Sequence, residues 1–338
     1  MISDARILFL RSILRHRREL VAAGLTDRRL DAGLREGSLL RAHPGWYVSA
    51  SEWSALNSAE QHLLRALAVA ANAEVAPVFS HATAAILHGL PLYGLRDRRV
   101  HATVGRPVNR RSSEGVFRHR LDLAADHVTE RAGLRCTTVS RAVLDITRAM
   151  SMESGIVCAD AGFRQLASAS ADPPDEVLAR LLEQLDSSPP SPGRARARRV
   201  LEIADSAAES PLESLSRLQL LRLGFEVESQ VPVRSSDGGS YFMAFELLGH
   251  DAFAEVDGAV KYTDERLRAG RTAEQVVLEE KAREDWVRGT TCKRVLRWGW
   301  RDAQSHSRLA QRPREFGVVL PAAVDRPRHL HLFSPSGG

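Results

Sequence analysis

Three acidic residues in the last third of the chain have a spacing that could hold a metal ion. Glu255 and Asp257 are separated by one residue inside a short apolar run, and Glu246 lies a hairpin's length upstream at the end of another. Strand alternation would point Glu255 and Asp257 the same way, with Glu246 opposite them. Oxygen ligands and negative charge at one point are what Mg²⁺ requires. The pattern predicts a metal site at Glu246, Glu255 and Asp257; solvated carboxylates on an edge strand are the alternative.

The elements that must position these acids follow from the apolar pattern around them. Leucines recur at helical spacing between Ser210 and Gly224, which predicts a helix. A strand, a turn at Asp237-Gly238-Gly239 and the two acidic strands come next, and Gly258 is expected to end the second of them. A long helix from about Thr272 to Arg288 and a final strand complete the order helix, three strands, helix, strand.

This order, with a glutamate in the first helix and carboxylates on the middle strands, resembles the PD-(D/E)XK nuclease fold. Residues 208–303 look like the small nuclease-like domains related to very-short-patch-repair endonucleases, through the segments SPLESLSRLQLLRLGF, QVPV, EVDG, EEKARED and VLRW. The resemblance implies a Mg²⁺-dependent endonuclease site whose catalytic residues are Glu213, Glu246, Glu255, Asp257 and Lys281. Glu246 stands where the family has an aspartate, and Asp257 where it has a lysine that Lys281 could replace. A degenerate, inactive site is the alternative.

Residues 1–52 carry a second pattern, which predicts a DNA-binding element. Thr26 can cap a helix from Asp27 to Glu36, Gly37 ends it, and residues 38–49 form a short hairpin. A helix–turn–helix followed by a small hairpin is a winged helix, whose second helix enters the major groove and whose hairpin contacts phosphates. The basic residues in position to contact DNA are Arg28, Arg29, Arg35 and Arg41.

The segment GLTDRRLDAGLREGSLLRAHPGWYV looks like the N-terminal winged-helix domain of AbiEi-family antitoxins, the DNA-binding partners in type IV toxin–antitoxin pairs. SHATAAILHGLPL and CTTVSRAVLDITR extend the resemblance to about residue 167. It implies that the chain binds double-stranded DNA and works with a cognate toxin protein. A packing module that does not bind DNA is the alternative.

The rest of the chain is expected to divide as follows. Residues 53–167 alternate helices and strands, which indicates a mixed α/β middle domain. Residues 168–199 are rich in serine and proline and predict a linker with a short helix. A nuclease-fold domain over residues 200–310 and a tail over 311–338 follow. The linker ends in a basic run that could hold a phosphate backbone or pair with acids of its own helix: Arg194, Arg196 and Arg198.

Histidines in the middle region raise a second metal hypothesis. His81 and His88 lie seven residues apart in a predicted helix, and His101 follows on a predicted strand. No carboxylate or cysteine spacing supports a closed zinc site, so structural or surface histidines are the favoured interpretation.

The length predicts two or three domains, and the predicted elements make up an α+β protein. The 338 residues carry a net charge of +5 with a pI near 9.5, which suits a polyanionic partner. Three distant cysteines indicate no disulfide framework or zinc site and favour a cytoplasmic setting. No apolar run has the length of a membrane span, so no membrane partner is expected. A DNA-binding regulator of the antitoxin type is predicted; a Mg²⁺-dependent endonuclease targeted by its winged helix and a protein-interaction scaffold are the alternatives.

Overall fold

The computed structural model describes residues 3–105, 115–257 and 273–322. Contacts divide the chain into unit 1 (Met1–Cys158 with Asp175–Val200) and unit 2 (Ala159–Pro174 with Leu201–Gly338). Both units mix helices and strands, as the predicted elements indicated. No helix within the described ranges is long and apolar enough to cross a membrane.

Unit 1 opens with three helices and a small sheet. The helices are α1 (Asp4–Ile13), α2 (Arg17–Ala22) and α3 (Asp27–Glu36), and the strands are β1 (Arg15–His16), β2 (Leu39–His43) and β3 (Trp46–Ser49), in the antiparallel order β1-β3-β2. Thr26 caps α3 by accepting a hydrogen bond from the backbone N–H of Arg29 at 3.4 Å. Gly37 ends it with a φ of 73°, a left-handed conformation that suits glycine. The predicted bounds of α3 are confirmed.

The second part of unit 1 surrounds a five-stranded sheet. The helices that lie wholly or partly in it are α4 (Ala50–Ser54), α5 (Ser58–Asn72), α6 (His81–Leu87), α7 (Val139–Ala149), α8 (Met152–Ala169), α9 (Pro174–Ser187) and α10 (Arg194–Glu202). The boundaries between the units fall within α8, after Cys158, and near the end of α10, after Val200. Its strands are β4 (Val78–Phe79), β5 (Val100–Val104), β6 (Val116–Arg120), β7 (Val128–Arg131) and β8 (Leu134–Thr137), in the order β6-β5-β4-β8-β7. Ile7 and Leu10 of α1 lie in one core with Leu64 of α5 and Phe79 of β4. The N-terminal elements and the middle region therefore share a single core.

The segment expected to be a linker, residues 168–199, is packed. Val177, Leu181 and Leu185 of α9 are at most 3% exposed, and Ala197 of α10 is fully buried. Val177, Leu181 and Leu185 follow one another at intervals of four residues, so they form one apolar stripe along α9. The segment therefore contains a packed helix, whose apolar spacing contrasts with the flanking serines and prolines.

Unit 2 follows the predicted order of helix, three strands, helix and strand. The elements are α11 (Pro211–Leu223), β9 (Val227–Arg234), β10 (Ser240–Leu247), β11 (Ala252–Asp257), α12 (Ala273–Thr291), β12 (Arg294–Gly299), α13 (Trp300–Ala303), α14 (His306–Leu309) and α15 (Gln311–Glu315). Strands β9, β10 and β11 are antiparallel neighbours, and β12 is parallel to β11. Gly258, Thr272 and the tail beyond residue 322 lie outside the described residues.

The two long helices of unit 2 cover opposite faces of its sheet. Val287 of α12 packs with Phe253 and Val295 on one face. On the other, the indole N–H of Trp298 donates to the Ser216 hydroxyl of α11 at 2.8 Å. Val295 and Trp298 are three residues apart on β12, so strand alternation places them on different faces. The first face is called the α12 face below.

Candidate functional site

The three acids predicted to hold a metal lie on the α12 face. Glu246 of β10 is the cross-strand partner of Phe253 of β11, whose side chain packs against α12. Glu255 and Asp257 follow Phe253 at intervals of two residues, so strand alternation directs them to the same face. The strand register therefore agrees with the shared face expected from the sequence.

Glu246 is nevertheless not the residue opposite Glu255. The register pairs Glu246 with Phe253, two residues before Glu255 on β11, so Glu246 and Glu255 are offset along the sheet.

Each of the three carboxylates is paired with a basic side chain of the same unit. All three pairs are partly buried, with side-chain exposures between 14% and 38%. A cation site needs negative charge that the protein has not already neutralised. Here the protein supplies the positive charge itself. The pairs are Glu246 with Lys293, Glu255 with Arg283 at 2.7 Å, and Asp257 with Arg297 at 3.5 Å.

Arg297 of β12 connects Asp257 of β11 to two acids of α12. Its Nη2 atom lies 2.9 Å from a carboxylate oxygen of both Glu280 and Glu284. Burial disfavours the charged guanidinium, but Asp257, Glu280 and Glu284 outweigh that effect and raise the pKa of Arg297. Arg283 also lies 3.7 Å from Glu280. Glu255 and Asp257 are thus held in a connected network of ion pairs, and the pair of Glu246 with Lys293 is separate from it.

Glu213, expected as the helix glutamate of a nuclease site, caps its own helix. Its carboxylate accepts hydrogen bonds from the backbone N–H of Glu209 at 2.9 Å and from the Ser210 hydroxyl at 2.8 Å. Gln230 donates to it as well, at 3.0 Å. Since α11 covers the sheet face opposite α12, Glu213 is not brought together with the three acids.

The residues present do not fit the expected Mg²⁺ site. Within the described ranges, no group of three or more His, Cys, Asp or Glu side chains is arranged to hold a metal ion. Lys281, the expected replacement for the motif lysine, is exposed on α12 and has no hydrogen bond or ion pair to a described residue. Arg283 takes the place beside Glu255 instead.

The predicted DNA-binding helix α3 exposes its arginines. Leu30 is 3% exposed, and Gly33 is so close to β2 that a Cβ there would lie 3.1 Å from a Leu39 methyl. Because an α-helix turns by about 100° per residue, Arg28 and Arg35 lie on the side of α3 opposite Leu30 and Gly33. Both are exposed. The buried and basic faces of α3 are therefore separate.

One acid of α3 is paired with an arginine of α2, so it does not pair with the arginines of α3 itself. Asp27, in the first turn, is paired with Arg17 at 2.5 and 2.6 Å. Arg29 and Arg28 form no side-chain hydrogen bond or ion pair with a described residue. Arg41 of β2 is also exposed, with its guanidinium 5.9 Å from the centre of the Tyr47 ring.

The basic run before the nuclease-like region makes contacts within unit 1. Its arginines hold the end of α7 and the end of α9, so they are less available to phosphates than the sequence suggested. Their partners are Asp186 and the Ser188 carbonyl for Arg194, the Thr147 and Arg148 carbonyls for Arg196, and Asp186 for Arg198.

Three histidines that are distant in sequence meet in unit 1. The rings of His81 and His119 stack with centroids 3.4 Å apart, and His119 Nε2 lies 2.9 Å from His101 Nδ1. Asp145 lies 3.5 Å from His81, and Asp97 lies 3.6 Å from His101. Burial lowers the pKa of His81 and of His119 to about 3. The sequence pointed to His81 and His101 but gave no reason to add His119, which β6 brings alongside them.

Two further buried histidines are each held by a hydrogen bond. His62 Nε2 lies 2.8 Å from the Thr83 hydroxyl, and His88 Nε2 lies 2.7 Å from the Thr137 carbonyl. Burial lowers the pKa of both, to about 4 for His62. His88 is therefore a neutral structural histidine, as favoured from the sequence, and does not join the cluster of His81.

Comparison with known protein families and with curated proteins finds no match to this chain. The winged-helix and nuclease resemblances therefore stay predictions.

Proposed function

We propose that this protein is a DNA-binding regulator that contacts duplex DNA through α3 and does not cleave it. One observation carries the proposal: α3 buries one face and presents exposed arginines on the other, and Arg28 and Arg29 lack an acidic partner among the described residues. Uncompensated guanidiniums on a helix favour binding to phosphates and base edges. The preceding helices and the following hairpin give α3 the setting of a recognition helix in a winged helix.

The test of DNA binding compares two double variants of equal charge. Arg28→Ala with Arg35→Ala should weaken binding to duplex DNA and lower the slope of log affinity against log salt by about two, one for each lost phosphate contact. Arg301→Ala with Arg314→Ala removes two exposed arginines of unit 2 and should leave both quantities unchanged. Fluorescence anisotropy at several salt concentrations measures both. Equal affinity and slope in wild type and the α3 variant, with the fold intact, would sink the proposal.

The absence of cleavage rests on the ion pairs of the acidic face. Lys293, Arg283 and Arg297 already neutralise the acids that would have to bind Mg²⁺. Plasmid incubated with the protein and Mg²⁺ or Mn²⁺ should stay intact. Millimolar Mg²⁺ should not raise the melting temperature of the protein, because an ion stabilises the native state only if it binds to that state. Nicking that disappears in Glu255→Ala would instead establish the metal-dependent endonuclease. The cognate toxin stays a prediction of the antitoxin resemblance.

A further inference from the structure

A cavity of about 660 Å³ lies on the α12 face of unit 2. It is open to solvent and is lined by the end of β9, the turn that follows and the last two turns of α12. Its volume falls within the range of small-molecule sites, about 300–1,000 Å³. Glu246 and Lys293 form part of the wall, so the cavity adjoins the acidic face without including Glu255 or Asp257.

The cavity has a fixed aromatic wall. The indole N–H of Trp286 donates to the Arg234 carbonyl at 2.9 Å, which holds the ring in place, and the residue remains 38% exposed. Val233 and Phe253, both buried, add apolar surface to the lining. An aromatic ring that is held in place yet partly exposed is the kind of surface on which a nucleobase stacks.

The charges in the wall leave an excess of one positive charge. Lys293 contacts Glu246 and lies 4.8 Å from the centre of the Phe253 ring, so these two charges cancel. The exposed guanidinium of Arg234 has no hydrogen bond or ion pair to a described residue. Guanidinium groups bind phosphate through parallel hydrogen bonds.

We infer that this cavity binds a phosphorylated nucleoside, with the base against Trp286 and the phosphate on Arg234. The carboxylate of Glu246 accepts hydrogen bonds from amino or hydroxyl groups of the nucleoside. Two sources carry this chemistry: a free nucleoside monophosphate and the 5′-phosphorylated end of a nucleic-acid strand. The inference is independent of DNA binding by α3, which belongs to the other unit.

Calorimetry with the full chain distinguishes the two sources. The probes are deoxyadenosine 5′-monophosphate, a short single-stranded oligonucleotide with a 5′-phosphate, and the same oligonucleotide without it. Saturable binding of the mononucleotide as tight as that of the phosphorylated strand identifies a free nucleotide, and tighter binding of the phosphorylated strand identifies a strand end. No saturable binding up to millimolar concentration, or equal binding of the two oligonucleotides, overturns the inference.

Matched variants locate the binding. Trp286→Leu should raise the Kd about tenfold by removing the stacking surface, and Arg234→Ala should raise it about tenfold for phosphorylated probes alone. Trp300→Leu and Arg301→Ala change an exposed tryptophan and an exposed arginine outside the cavity and should bind as wild type. Equal losses in the controls would overturn the inference. Circular dichroism checks the fold of each variant, and Arg234 lies at an exposed strand end where substitution disturbs no core.

Discussion

Acid should destabilise unit 1 through its buried histidines. The pKa of His62 falls from 6.5 to about 4, and that of His81 from 6.5 to about 3, in both cases mainly because burial disfavours the charged ring. The unfolded chain therefore binds more protons than the folded one below pH 6.5. Stability is fully present above that pH and is lost as the pH falls towards 4 and 3.

The size of the loss follows from the same values. With one pKa unit equal to about 1.4 kcal/mol, His62 and His81 each lower the free energy of unfolding by about 2 kcal/mol between pH 7.5 and pH 5. Together they remove about 4 kcal/mol, a large part of the stability of a typical domain. Asp145 acts in the opposite sense, because burial raises its pKa. Comparing variants at each pH therefore isolates the histidine contribution.

Urea unfolding followed by circular dichroism measures this effect at pH 7.5, 6.5, 5.5 and 5.0. His62→Gln can keep a hydrogen bond to Thr83 but cannot titrate, so its free energy of unfolding should fall by about 2 kcal/mol less than that of wild type. His306→Gln, which removes an exposed histidine of unit 2, is the control. A flat profile for wild type, or parallel profiles for wild type and His62→Gln, would refute the reasoning.

Two other features allow direct stability tests by urea unfolding. Arg217 holds Asp160 through contacts of 2.8 and 2.9 Å at 5% and 1% exposure, so Arg217→Met should cost about 3–5 kcal/mol by leaving a buried carboxylate unpaired. Adding Asp160→Asn should recover part of that loss, and no recovery would count against the ion pair as the cause. Gly193→Ala should cost more than Gly37→Ala: both glycines have φ above 70°, but only at Gly193 would the new methyl meet backbone, 2.1 Å from the Arg148 carbonyl oxygen. Gly37→Ala should cost about 1 kcal/mol from its left-handed conformation alone, and equal costs would contradict the clash.

Local signals in the sequence were enough to place several elements. Thr26 and Gly37 fix the ends of α3, and Ser210 and Gly224 fix those of α11, because capping depends on residues within one turn of the helix end. The order of elements in unit 2 followed from apolar periodicity, which is also a local property of the sequence. Strand alternation also indicated the common face of Glu255 and Asp257.

The partners of the acids could not be predicted from the sequence. Arg283 reaches Glu255 because α12 packs on the sheet, and Arg297 reaches Asp257 because β12 pairs with β11. Both contacts depend on tertiary structure. Sequence spacing does not give the direction of a side chain, so it could not show that Arg283 and not Lys281 pairs with Glu255.

The ion pairs beneath α12 make a metal site hard to reach by single substitutions. Freeing the acids requires the loss of Arg283 and Arg297, and each loss alone leaves Glu280 and its neighbours in mutual repulsion. Every first step lowers stability before any metal can bind. Evolution from this sequence towards a metal-dependent enzyme would have to pass through less stable intermediates. Substitution of the exposed arginines of α3 would not lower stability in this way.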